Sequence, residues 1–211
     1  LKISCSNCPA FGPVKMTTTV APKNLESASN NGSLFVNVFD ASGQPVSGAN
    51  VSVVNNSLGP VIAISDSTNN SGVLQLVDIP TSTSAYEVSV SKSGYSSDRT
   101  YQSGAPENPN PAKPHATVAS QQVTSVSFAI DKVSAVNFKT TDSMCAVVPN
   151  IDFLQQGVKL IGTAPDIFKY AASSTTGASG TKTIGNLEWD TYNFSNLDGA
   201  YDLSGYLPAM P

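Results

Sequence analysis

The chain has 211 residues, and its net charge is −4. Charged residues make up only 12% of it, against about 25% in an average soluble protein, and Arg99 is the only arginine. A weakly acidic chain without a basic cluster does not attract phosphate backbones or anionic lipid, so we expect neither nucleic-acid binding nor membrane insertion by this segment. Abundant Ser, Thr and Val with few Lys and Glu favour strands over helices.

Residues 1–30 are predicted to be an extended N-terminal segment. Pro9, Pro13 and Pro22 recur within it, and proline is excluded from helix interiors. The chain opens on Leu1, which is typical of mid-protein sequence, so we expect a mature fragment or a part of a longer protein.

The three cysteines predict no metal centre. Cys5 and Cys8 form a Cys-x-x-Cys, for which a local disulfide in an oxidising compartment is the favoured interpretation. A zinc site would need two further ligands, and only Cys145 and His115 remain, each standing alone. Cys145 could pair with a cysteine outside this segment, or with Cys5 or Cys8.

Residues 31–131 carry the alternation of apolar and polar side chains that is typical of β-strands. Turn-forming residues separate the alternating segments, most clearly at Asn70 and Gly72. About seven short strands within a hundred residues predict a β-sandwich. The main candidates are 34–39, 49–53, 61–64, 73–77, 86–91 and 125–130.

A proline-rich loop interrupts this region at 101–117. Four prolines make its backbone stiff and extended. A loop of this length is uncommon in a compact module and indicates a packing or functional role. We expect it to lie across the surface of its own sandwich, with the solvated His115 in it.

Residues 132–211 are predicted to form a second, related β-sandwich, joined to the first by a very short linker at Asp131 and Lys132. A short linker favours a semi-rigid, rod-like arrangement. Residues 173–180 are predicted to be a flexible turn. The candidate strands are 133–138, 151–154, 158–162, 167–170, 182–184, 191–195 and 201–204.

The two regions repeat one another. In each, a glycine turn precedes an apolar strand, and a tyrosine begins the next strand: Gly72 and Tyr86 in the first, Gly180 and Tyr192 in the second. By this correspondence Trp189 and Tyr192 are expected to be core residues.

Three segments of the first region, 32–51, 70–76 and 86–95, resemble the carboxypeptidase regulatory-like family and its pilin–adhesin relatives. The whole layout also resembles surface proteins of uncultivated bacteria in which such modules follow a type IV prepilin-like N-terminus. The resemblance implies an all-β chain of two tandem Ig-like or transthyretin-like β-sandwich modules after an extended N-terminal segment. It implies rigid spacers, stalks or adhesive units, with no catalytic residue and no cofactor.

Some pilin relatives form an isopeptide bond between a lysine and an asparagine, assisted by a buried acid. The first strand of the first module has no lysine for this reaction. In the second module Lys139 or Lys159 could serve, with Asp152 or Glu188 as the acid.

The sequence therefore predicts a non-enzymatic extracellular structural module: a stalk, pilus-like or adhesin segment of a bacterial cell-surface protein. Its expected partners are other subunits of the same assembly, with environmental or host glycans as a further possibility. The alternative is a carbohydrate-binding module pair of a secreted enzyme, because aromatic faces stack on sugar rings. Tyr201 and Tyr206 are the candidate ligand-facing aromatics. A catalytic triad would need the single histidine, His115. The sequence has no Gly-x-Ser-x-Gly motif to supply the nucleophile that would accompany it.

Overall fold

The computed structural model describes residues 30–197, which form fifteen β-strands and no helix. In chain order the strands are β1 (Gly32–Phe39), β2 (Asn50–Asn55), β3 (Ile62–Ser67), β4 (Val73–Ile79), β5 (Ser82–Ser91), β6 (Asp98–Arg99), β7 (Ala116–Val118), β8 (Val123–Ala129), β9 (Ser134–Lys139), β10 (Asp152–Gly157), β11 (Leu160–Gly162), β12 (Ile167–Phe168), β13 (Ala171–Thr175), β14 (Thr181–Leu187) and β15 (Tyr192–Asn196). The all-β class predicted from the sequence is confirmed. Below, residues 30–131 are called the N-terminal half and residues 132–197 the C-terminal half.

The N-terminal half is a β-sandwich. One sheet has the order β4–β1–β8, with β1 and β8 parallel, and the other has the order β3–β2–β5–β6, with β7 also pairing with β5. Alternate residues of β1 face the core, so Leu34, Val36 and Val38 are fully buried. They pack with residues of the facing sheet such as Val51 and Val88. Each such side chain contributes about 1.5–3 kcal/mol through burial.

The C-terminal half has a smaller core between the sheets β13–β10–β15 and β14–β9. The buried apolar residues of this core are Phe153, Ile184, Leu187 and Tyr192. Phe138 fills much of the remaining space. Its ring centroid lies 5.3 Å from that of Phe153 in a tilted arrangement, the geometry that aromatic pairs prefer.

Part of the sheet order of the N-terminal half recurs in the C-terminal half. The pairing of β1 with β4 recurs as β9 with β14, and the order β3–β2–β5 recurs as β13–β10–β15. Tyr86 and Tyr192 also make equivalent hydrogen bonds, each to a backbone carbonyl a few residues earlier in the chain. The Tyr86 hydroxyl donates to the Pro80 carbonyl at 2.6 Å, and the Tyr192 hydroxyl donates to the Glu188 carbonyl at 3.0 Å. Burial raises the pKa of both phenols, which keeps them neutral donors.

The turns repeat as well. Asp40 accepts backbone N–H bonds from the residues two and four positions later, and Asp142 does the same. Gly72 and Gly180 each precede a strand with positive φ angles of 71° and 65°. At Gly72 a β-carbon would lie 2.5 Å from the Val38 carbonyl oxygen, so only glycine fits there.

Several strand predictions need correction. Residues 171–175 form β13, so the flexible turn predicted over 173–180 was wrong in its first part. Alanine has little intrinsic preference for strands, so this segment is a strand because of its antiparallel pairing with β10. β6 and β7 were missed, since strands of two and three residues give no periodic signal. The candidate strand at 201–204 lies outside the described residues.

Candidate functional site at the junction of the two halves

The linker between the halves is hydrogen-bonded along its length. The Ser96 N–H donates to the Asp131 carbonyl at 2.7 Å, and the Val133 N–H donates to the Gly94 carbonyl at 3.1 Å. The Asp131 N–H donates to the Ser96 side chain at 3.1 Å. The chain therefore passes from β8 to β9 without a free segment between them.

The proline-rich loop 101–117 makes a second connection, which we call the strap. It was expected to lie across its own sandwich. Instead it reaches the C-terminal half, where Pro111 pairs with Gly162 as an antiparallel bridge. The Ala112 N–H donates to the Ile161 carbonyl at 2.9 Å. Prolines leave few backbone donors in this loop. The Ala112 N–H is used on β11, whereas the N–H groups of Gly104, Asn108 and His115 bond within the loop.

Asn108 anchors the strap side of this contact. It is 3% exposed, and its Nδ2 donates to the Ile161 carbonyl at 3.0 Å. A β-carbon on Gly162 would lie 1.9 Å from the Asn108 Oδ1, so the absence of a side chain there is what allows the approach. Asn110 adds a further bond from its Nδ2 to the Ala164 carbonyl at 3.1 Å.

Ion pairs make a third connection. Lys159 Nζ lies 3.8 Å from Asp131 Oδ2 and 3.5 Å from Glu188 Oε1, so it joins acids from both halves. Lys169 Nζ lies 2.8 Å from Glu188 Oε2. The carboxylates are nearly buried, at 9% and 8% side-chain exposure.

The electrostatics of Glu188 follow from these neighbours. Burial by itself would raise its pKa, but hydrogen bonds from Lys169 and Ser96 and the charges of Lys169 and Lys159 outweigh burial. The pKa of Glu188 therefore lies below its ordinary value, and the carboxylate is charged at neutral pH. Of the lysines and acids considered for an isopeptide bond, Lys159 and Glu188 are neighbours in an ion pair. Asp152, the other acid named there, lies elsewhere and accepts a bond from Thr175.

A small cavity of about 190 Å³ lies under the strap, lined by residues of both halves. Lys113 of the strap pairs there with Asp98, and its ammonium lies 5.1 Å from the Phe128 ring centroid. Lys159 and Lys169 also line this cavity. All three lysines have acidic partners, so the cavity carries no excess positive charge.

A second cavity, of about 330 Å³, lies on the junction beside the linker. Trp189 lines it and is 52% exposed. The expectation that Trp189 is core was wrong, whereas the same expectation for Tyr192 was right, at 8% exposure. β14 ends at Leu187, which is 1% exposed and takes the core position that Ile79 holds at the end of β4. Trp189 follows two residues later, in the connection to β15.

The remaining residues singled out from the sequence are Cys5, Cys8, Cys145, His115, Tyr201 and Tyr206. Cys5, Cys8, Tyr201 and Tyr206 lie outside the described residues. Cys145 is exposed and unbonded, and no disulfide occurs within 30–197. His115 is not freely solvated.

The imidazole of His115 contacts Thr100, with 3.0 Å between Nδ1 and Oγ1. Burial lowers its pKa, the nearby Arg99 charge adds to this, and the Glu87 charge opposes it. No group of three or more potential metal ligands occurs among residues 30–197. Nor does that range contain a helix long and apolar enough to cross a membrane.

Comparisons with known proteins assign no family. No family model matches the chain, and no curated protein matches it. Among solved structures it is similar to the Bacillus anthracis TIE protein, at 14% identity and a TM-score of 0.36, over 79% of this chain and 28% of that one. It is also similar to a streptococcal ancillary pilin, at 11% identity and a TM-score of 0.35, over 81% of this chain and 54% of that one.

A shaft pilin, SpaA of Lactobacillus rhamnosus GG, is similar at 10% identity and a TM-score of 0.30, over 83% of this chain and 91% of that one. The chain thus spans about a quarter and about half of the first two proteins. At these identities and TM-scores the likeness assigns neither a family nor a function to this chain.

Proposed function

We propose that this chain is a non-enzymatic structural segment of a bacterial cell-surface protein, acting outside the cell as a rigid stalk, pilus-like or adhesin unit. In this proposal residues 31–131 and 132–211 are two β-sandwich modules of the carboxypeptidase regulatory-like type. The extended segment 1–30 precedes them. Their partners are other subunits of the same surface assembly.

The observation that carries the proposal is the triple connection at the junction. Flexible tandem domains usually meet through a free linker and a modest interface. Here the linker and the strap each join the halves, and Lys159 of the C-terminal half forms an ion pair with Asp131 of the linker. A unit whose modules cannot bend against each other transmits force and holds a fixed length, which is the physical requirement of a stalk.

Sheet edges offer a means of assembly. β1 pairs with β4 on one side and β8 on the other, whereas β9, its counterpart, pairs only with β14 among the described residues. A strand contributed by another subunit could continue such a sheet, because backbone N–H and C=O groups there can extend the ladder. Sedimentation measures this directly, and a purified chain that stays monomeric at high concentration would count against strand addition.

The location is tested by immunogold electron microscopy of the source cells with antibody raised against this chain. Label along filaments or over the envelope supports the structural role. Label found only in the medium or on external polysaccharide contradicts it and favours the alternative, a carbohydrate-binding module pair of a secreted enzyme.

The rigidity is tested by small-angle scattering of the chain and of an Asn108→Ala variant with Gly162 changed to glutamate. This double change removes the strap anchor and places a charged side chain in the contact. The radius of gyration and the maximum dimension are expected to spread to larger values. Glu107→Gln alters an exposed residue next to the anchor, and its profile should match that of the unaltered chain.

A further inference from the structure

The C-terminal half lacks a counterpart of β8 among the described residues. In the N-terminal half β8 runs parallel to β1 over seven residue pairs, the first of which joins Ser33 to Val123. β9 is the equivalent of β1, because its pairing with β14 repeats that of β1 with β4 as far as the glycines Gly72 and Gly180. Within residues 30–197 β9 pairs with β14 alone, so its other edge carries no strand from that range.

The burial of β9 shows the consequence of this difference. Leu34 and Val36 of β1 are fully buried, whereas their equivalents Val136 and Phe138 in β9 are only partly buried. The opposite face differs in the same direction, since it is partly buried in β1 and exposed in β9. In the N-terminal half, Phe128 of β8 is 2% exposed and belongs to the core that β1 faces. Both faces of β9 therefore lack the cover that a flanking strand gives.

The backbone groups of β9 are directed so that a ladder can form at this open edge. Hydrogen-bond direction alternates along a strand, and the Thr140 N–H, just beyond β9, points to the β14 side. The N–H groups of Ala135, Asn137 and Lys139 therefore point to the open edge. In β1 the equivalent positions bond on the β8 side, as at Ser33, whose N–H donates to the segment just before β8 at 2.9 Å. The open edge can accept a strand in the same way.

The direction of the chain places the start of the fold and the open edge in different halves. β8 ends at the linker, so β1, which runs parallel to it, begins at the end of the N-terminal half that is remote from the junction. The segment 1–29 joins the fold at that end. β9 starts at the linker and runs away from the junction. A donor at one end and an acceptor edge in the other half favour contact between copies in a head-to-tail row, which extends without closing.

Residues 14–20, which lie outside the described range, have the sequence of a strand that fits this edge. They alternate between Val14, Met16, Thr18 and Val20 on one side and Lys15, Thr17 and Thr19 on the other. One face is therefore mainly apolar and the other polar, as a strand that completes a sandwich requires. Threonine and valine favour strands. The segment has seven residues, as β8 has, and Pro13 and Pro22 lie just outside it.

We propose that residues 14–20 of one copy pair with β9 of a neighbouring copy, parallel to it, and form there the strand that β8 forms in the N-terminal half. The apolar face of the donor covers Val136 and Phe138. The parallel direction brings residue 20 to the free end of the acceptor. Residues 21–31, which span up to about 35 Å when extended, then lead into β1 of the donor's own fold.

The candidate strand 201–204 is the rival occupant of the open edge. It follows β15, which starts just after Asp190 at the junction and ends at the remote end of the C-terminal half. The chain would have to return to the junction before it could run parallel to β9. A donor from residues 14–20 of another copy needs no such reversal, which is why we favour it.

Sedimentation velocity of the full chain over a range of concentrations tests the donor. The unaltered chain should form a series of linear oligomers. Met16→Asp places a charge on the apolar face of the donor and should weaken association by at least about tenfold, because a buried charge without a partner is costly. Thr17→Asp places the same charge on the polar face and should associate as the unaltered chain does.

A second pair of variants tests the acceptor. Lys139→Pro removes one N–H from the open edge and leaves the ladder with β14 intact, so it should also stop the growth of oligomers. Lys139→Ala loses the same charge but keeps the N–H, and it should associate normally. Circular dichroism checks the fold of each variant. If Lys139→Pro does not fold, Met16→Asp and Thr17→Asp still decide the question, because their positions precede the two sandwiches.

Mixing the two defective chains tests the head-to-tail geometry. Met16→Asp retains the open edge and Lys139→Pro retains the donor, so together they should form a one-to-one complex that grows no further. An unaltered chain that stays monomeric, or association that Met16→Asp leaves unchanged, would overturn the proposal. Loss of association or of stability in Leu203→Asp but not in Met16→Asp would overturn it too, by assigning the edge to 201–204.

This inference rests on the proposed structural function, since it names another copy of the chain as the partner in the assembly, yet the two can fail separately. Oligomers in solution together with immunogold label only in the medium would refute the surface role and leave the donor strand standing. Label along filaments or over the envelope together with a chain that does not associate through residues 14–20 would refute the donor strand and leave the surface role standing.

Discussion

Glu188→Gln should loosen the junction while leaving its shape intact. Glutamine has nearly the same volume and can still accept a hydrogen bond from Lys169, but it lacks the negative charge between Lys169 and Lys159. Breaking a fully buried ion pair costs about 3–5 kcal/mol, and a surface pair is worth about 0–1 kcal/mol. The side-chain exposures are 8% for Glu188, 20% for Lys169 and 34% for Lys159, which places this network between those limits. We expect a loss of about 1–3 kcal/mol.

The pH dependence of this loss has a definite sign. The pKa of Glu188 in the folded chain is below the ordinary value of 4.5. Its charge therefore contributes stability that is fully present above about pH 4.5 and is lost as pH falls through the folded-state pKa. The difference in unfolding free energy between the unaltered chain and Glu188→Gln should be constant from pH 7 to pH 5 and shrink in more acidic solution.

Urea unfolding followed by Trp189 fluorescence is the appropriate assay, because the reporter is the next residue in the chain. Glu107→Gln is the matched control: it removes the same charge from an exposed carboxylate and should change the unfolding free energy by less than about 0.5 kcal/mol. Equal stability of Glu188→Gln and the unaltered chain at pH 7, or a difference that persists undiminished at acidic pH, would refute the electrostatic account.

Three further expectations concern single sites. Gly162→Ala should destabilise the chain by about 1–3 kcal/mol in urea unfolding, because its β-carbon would overlap the Asn108 side chain. Gly185→Ala is the control: Gly185 has open space around it, so this change should not destabilise the chain. Equal effects of the two changes would refute the steric argument. Burial lowers the pKa of His115 below its ordinary 6.5. The contribution of the neutral histidine to folding stability is therefore complete above about pH 6.5 and declines as pH falls below that value. His115→Gln should flatten this part of the stability profile, and an unchanged slope would count against this account. Since Lys159 is held by carboxylates and not by an asparagine, intact mass spectrometry should show no loss of ammonia; a loss of water would instead reveal an amide between a lysine and an acid.

Local patterns were sufficient to predict most of the sheet framework. The alternation from Tyr86 to Ser91 in β5 matches its burial pattern residue for residue, because a half-buried strand imposes a period of two on its sequence. The repeat was visible in the sequence because equivalent positions need the same residue type. Gly72 and Gly180 both have a positive φ angle, and Tyr86 and Tyr192 occupy the same core position. These signals depend on neighbours within a few residues.

The junction could not be predicted in this way. Asn108 bonds to a carbonyl 53 positions further along the chain, and nothing near Asn108 in sequence marks that partner. The only signal was the unusual length of the proline-rich loop. That length indicated a packing or functional role, but it did not indicate which strand the loop contacts. Trp189 was misassigned for a related reason: the C-terminal half has a shorter connection between its glycine turn and its tyrosine, and Leu187, not Trp189, fills the core position.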